Sequence, residues 1–132
     1  MKDLEITDLV PERAEFSLIS KGEKKYFLRP INMADRVWIR AKFGDRVQEI
    51  FEKINMIEIT KIVFHQLEDK SDFRPITIQR EDDDGELREI RLTGSDLLAE
   101  AITGVQETLE IYFALLKTLG ITQVALKKLG VE

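Results

Sequence analysis

The sequence predicts an α+β fold in which helices dominate. Three observations carry that expectation. Two stretches, 15–29 and 75–92, alternate apolar and polar residues on either side of a turn signal, as β-hairpins do. Between them, residues 33–67 repeat apolar side chains at helical spacing. After them, residues 96–119 form the longest stretch with a helical pattern.

Each element has a local reason. Residues 1–13 are polar and acidic, contain Pro11, and read as a flexible arm. Glu15 to Ser20 and Lys24 to Arg29 are strands, with Gly22 at the turn and Pro30 as the stop. Asn32 is the expected N-cap of a helix from Met33 to Phe43, with Asp35 favouring its first turn and Gly44 closing it. Asp45 is the expected cap of the next helix, whose Val47, Ile50, Phe51 and Ile54 share one face. Asn55 interrupts, and Met56 to Leu67 resumes as a helix. The second hairpin turns at Asp84-Gly85, and Leu92 and Ile90 share a face. Ser95 is the expected cap of one long C-terminal helix, near 96–119, closed by Gly120. At 1.5 Å per residue it would be roughly 36 Å long, about the width of a globule of this chain length. Residues 121–132 read as a short terminal helix ending at Gly130.

Composition narrows the function. The 132 residues are 43% hydrophobic and 34% charged, with no cysteine, one histidine and a net charge of −5. That length fits a single domain over 1–132, hiding roughly two-thirds of its unfolded surface. The absence of cysteine excludes disulfides, thiolate catalysis and cysteine metal sites. A single histidine, His65, excludes a two-histidine metal site, and within its apolar stretch it reads as structural. Asp82-Asp83-Asp84-Gly85 fails as a calcium loop: with Gly85 at the sixth position, the first and last ligands would be Arg80 and Arg91. There is no glycine-rich phosphate loop and no nucleophile elbow. No catalytic residue, cofactor or metal is expected. Arg36, Arg40, Lys42 and Arg46 lie near Trp38 and Phe43, but interleaved acids argue against nucleic acid. The N-terminus lacks a signal-peptide core and no run of about 18 apolar residues exists, so a cytoplasmic, non-membrane protein is expected.

The C-terminal region is the most informative. Leu98, Ile102, Val105, Leu109, Tyr112, Leu116 and Leu119 repeat at spacings of four and three, a heptad seam. Ile111, Phe113 and Leu115 lie on other faces, so the second half of this helix is apolar on more than one side. Such faces are either core or contact. The candidate contact residues are Trp38, Phe43 and Phe51 from the middle helices, and Leu109, Tyr112, Phe113 and Leu116 from the long one. Self-association is a further expectation.

The order of elements carries a resemblance. A hairpin, Phe16-Ser17-Leu18-Ile19 to Tyr26-Phe27-Leu28-Arg29-Pro30, runs straight into helices that begin Ile31-Asn32-Met33-Ala34-Asp35 and carry Ile50-Phe51-Glu52-Lys53-Ile54. In this order, and in its small acidic chain, the sequence resembles the tail assembly chaperones of long-tailed bacteriophages and prophages. The resemblance implies a non-enzymatic protein of the host cytoplasm. Such a protein holds the tape measure protein until tail tube subunits assemble around it. The alternative is another small phage or bacterial interaction module, such as a regulatory subunit or a head or tail component.

Overall fold

The structure is a computed structural model and describes residues 10–120. β1 (Ala14–Leu18) and β2 (Lys24–Leu28) pair antiparallel with Phe16 opposite Tyr26. Ala14, Phe16, Leu18, Tyr26 and Leu28 all point into the core. The turn relies on Gly22, whose φ of +68° is open to glycine without cost. Residues 10–13, the inner end of the expected arm, are tethered. Glu12 N–H donates to the Lys117 carbonyl, and Arg13 makes a two-pronged ion pair with Glu68. Residues 1–9 and the expected helix over 121–132 lie outside the described residues.

Three helices follow. α1 (Met33–Phe43) starts with the expected cap: Asn32 Oδ1 accepts from Asp35 N–H, and Asp35 Oδ2 accepts from Asn32 N–H. α2 (Val47–Glu52) is reached through a single tight turn, Gly44–Arg46. Asp45 does not cap α2. The backbone is already right-handed at Arg46, so no extended residue is available to place a capping side chain. α3 (Met56–Gln66) begins at Asn55, whose side chain accepts from Glu58 N–H at 3.4 Å. The interruption read at Asn55 is thus a helix start.

β3 (Ile76–Glu81) and β4 (Leu87–Leu92) form a second, separate hairpin with Ile78 opposite Ile90. Its tip is ordered by Asp82. That carboxylate accepts from the N–H groups of Asp84 and Glu86 and from Arg88 Nε.

The C-terminal helical region lies where the sequence places it, but in two pieces, α4 (Gly94–Ala101) and α5 (Val105–Thr118). Thr93, rather than Ser95, caps α4, in a reciprocal pair with Asp96. Gly94 sits against α3 so closely that a Cβ would collide with the Phe64 ring and the Phe73 carbonyl. The break at Ile102-Thr103-Gly104 is bridged by Glu107. Its carboxylate, only 4% exposed, accepts from the Thr103 hydroxyl and N–H and from Ile19 N–H in the first hairpin.

The break resets the helical phase. α5 packs on β1 through Glu107, Ile111, Ala114, Leu115 and Thr118, the i, i+4, i+7, i+8, i+11 face. The heptad seam is therefore not one surface. Leu98 and Leu116 are buried, whereas Val105 and Leu109 face water.

One polar cluster ties these layers together. Asp35 is buried at the start of α1. It accepts from Arg29 at 3.2 and 3.4 Å, from Gln66 Nε2 at 3.3 Å and from Asn32 N–H, and faces His65 Nε2 at 3.1 Å. Gln66, fully buried in α3, also donates to the Arg29 carbonyl. The exit of the first hairpin, α1 and α3 thus share one carboxylate. Burial pushes the Asp35 carboxyl up, but the Asn32 N–H, the Arg29 guanidinium and Gln66 outweigh it, and its pKa falls below the usual value.

A lowered folded pKa contributes stability above the unfolded value of about 3.9, lost as pH falls through the folded pKa. Urea melts of Asp35→Asn should therefore show a flatter loss of stability below pH 4 than the parent. At pH 7 the variant should be less stable by about 1–3 kcal/mol, the cost of an unmatched buried polar group.

Candidate functional site

The seven candidate contact residues fall into three places. Phe43 and Leu116 are in the core, 3% and 5% exposed, and hold helices together. Trp38 is half-buried and stacks flat on His65, ring centres 3.8 Å apart, with Phe43 at its edge and Lys42 over its face. Phe51, Leu109, Tyr112 and Phe113 come together on another surface.

That surface is built from α5 and the end of α2. Because α5 turns Glu107, Ile111 and Leu115 to the hairpin, Leu109 and Phe113 point away from it, 39% and 50% exposed. Tyr112 lies between the two environments. Its hydroxyl donates to the Phe51 carbonyl at 3.0 Å, and its ring stands 6.4 Å from Phe51 and 5.7 Å from Phe113. Burial raises the Tyr112 pKa, so the phenol stays protonated and keeps donating. An aromatic row of Phe51, Tyr112 and Phe113 results, continued by Leu109 one turn earlier along α5.

Ile54, three residues after Phe51 at the end of α2, is also exposed, and the sequence does not single it out as a contact residue. It is 39% exposed and has φ +48°, a left-handed conformation unfavourable to a β-branched side chain. The hydrogen bonds explain why. Ile54 N–H donates to the Phe51 carbonyl and Asn55 N–H to the Ile50 carbonyl, the paired bonds that close a helix at a left-handed residue. Glycine normally occupies that place. The chain instead carries an isoleucine there and presents it to water, beside the same Phe51 carbonyl that anchors Tyr112. The signal in the sequence was Lys53-Ile54-Asn55, a helix end without glycine.

The Asp35 cluster does not offer reaction chemistry. Both carboxylate oxygens are engaged by Arg29, and His65 is held between Asp35 and Trp38. Among the described residues no buried side-chain polar atom lacks a partner, and no group of three His, Asp or Glu could hold a metal. No helix among them is long and apolar enough to cross a membrane. In comparisons with protein-family models, curated proteins and solved structures, the chain matches none of them.

The strain at Ile54 gives a test of the site. A left-handed conformation costs a non-glycine residue roughly 1–2 kcal/mol, and glycine's extra entropy in the unfolded chain returns about half of that. Ile54→Gly should raise the thermal midpoint, by about 0.5–1 kcal/mol of stability, while weakening any contact the apolar row makes. A lowered midpoint would show that the Ile54 side chain serves the fold.

Proposed function

We propose that this protein is a non-enzymatic assembly chaperone that holds an apolar helix of a partner against Leu109, Tyr112, Phe113, Phe51 and Ile54. The observation that carries the reading is the exposure of Leu109, Phe113 and Ile54 beside the half-buried rings of Phe51 and Tyr112. An apolar patch rimmed by charge is how a soluble protein covers a hydrophobic partner without precipitating. A row with four- and one-residue steps on one helix is also what a second amphipathic helix packs against. Half-exposed aromatic rings with a fixed hydroxyl anchor lose little side-chain freedom on binding, which favours them as contact residues.

The element order that resembles tail assembly chaperones supplies the partner. The proposed client is the tape measure protein, a long apolar helix that must be kept soluble in the cytoplasm until tail tube subunits close around it. Reading the chain as an enzyme would need a pocket with convergent free polar groups. The Asp35 cluster, whose members satisfy one another, supports that reading least.

Because Leu109 and Phe113 are solvent-facing, Leu109→Asp and Phe113→Asp should keep the parent's circular dichroism. Each should weaken binding of a helical tape measure fragment by about tenfold or more in calorimetry, the loss of one buried apolar side chain. Folded variants that bind as well as the parent would defeat the assignment. A parent that binds no such fragment would leave the alternative of a head or tail structural module.

A further inference from the structure

A second surface, on α1, is unlike the first. Its outward face carries Met33 and Val37, 75% and 62% exposed, one turn apart, with Ala41 a turn further. Arg36 and Arg40 flank them, both exposed, and neither makes an ion pair with any described residue. The one acid of α1, Asp35, is turned inward and paired with Arg29, so the face carries Arg36 and Arg40 without an ion-pair partner among the described residues. Apolar side chains between unpaired arginines make a surface for an acidic partner with an apolar contact of its own.

The same chain carries that complement. The tip between β3 and β4 holds Glu81, Asp82, Asp83, Asp84 and Glu86 in six residues, with no basic residue among them. Asp82 is spent on the turn and on Arg88, whereas Asp83, Asp84 and Glu86 are exposed. Directly after them Leu87 is 69% exposed. The tip is presented on a two-stranded hairpin that pairs with no further strand among the described residues. Acids and a leucine on one element match arginines, a methionine and a valine on another.

We infer that the β3–β4 tip of one copy docks on α1 of a second copy, with Leu87 against Met33 and Val37 and Asp83, Asp84 and Glu86 around Arg36 and Arg40. The two patches differ, so the contact pairs unlike surfaces. It closes if two copies exchange hairpins and forms an open row if they do not. This contact uses neither Leu109 nor Phe113 and stands apart from the proposed client strip.

A charge-exchange experiment on the full chain tests it. One variant carries Arg36→Glu with Arg40→Glu, and the other Asp83→Lys with Asp84→Lys. By sedimentation at low salt, the parent should associate with rising concentration and dissociate as salt rises. Each variant alone faces like charge with like and should associate at least about tenfold more weakly. Mixed one to one, every acidic patch again meets a basic one, and a mixed species should form with parent-like strength. A variant that failed to fold would not be rescued by mixing, so recovery reports the contact itself. A parent that stays monomeric, variants that associate like the parent, or a mixture that recovers nothing would each overturn the inference.

Discussion

The buried carboxylate of Glu107 ties the second half of this protein to the first hairpin. It must find donors, because an unpaired carboxylate in the interior is costly. Those donors are Thr103, one turn before it, and the Ile19 amide in the first hairpin. The chain leaves helical geometry at Ile102-Thr103-Gly104, and α5 restarts against β1 with Glu107 meeting both donors. From that restart follow the inward face of Ile111, Ala114 and Leu115 and the outward position of Leu109 and Phe113. Tyr112, held to the Phe51 carbonyl, joins α5 to the end of α2, where Ile54 N–H donates to the same carbonyl.

Asp35 plays the matching role in the first half. It collects Arg29 from the hairpin exit, Gln66 and His65 from α3, and the start of its own helix. Its consequence at the surface is indirect. Turning inward, it leaves the outer face of α1 to Arg36 and Arg40. Two buried carboxylates therefore shape two exposed surfaces of opposite character, one apolar and one basic.

Local chemistry explains which parts of the fold were legible in the sequence. The Asn32 cap, the helix end at Gly44, the Gly22 turn and the Asp84-Gly85 tip depend on residues within a few positions, and each was readable. The break at residues 102–104 was not. The heptad spacing from Leu98 to Leu119 runs across it unbroken, and the carboxylate that bridges it also accepts from an amide 88 residues away. For the same reason the seam mixed buried Leu98 and Leu116 with exposed Val105 and Leu109. Of the site, the aromatic members were legible as candidates, because large apolar side chains stand out in a pattern. Which of them face water was not, since burial of Phe43 and exposure of Phe113 are decided by tertiary packing. Ile54 escaped because nothing in a helical pattern marks a residue about to take a left-handed backbone.

The central claim is that α5, tied to the first hairpin by Glu107, offers a docking row with the end of α2. Hydrogen–deuterium exchange of the full chain, with and without a helical tape measure fragment, tests it most directly. The account predicts that slowed exchange on binding is confined to two segments distant in sequence, around 51–55 and around 108–114. Protection that falls elsewhere, or on only one of the two, would contradict it.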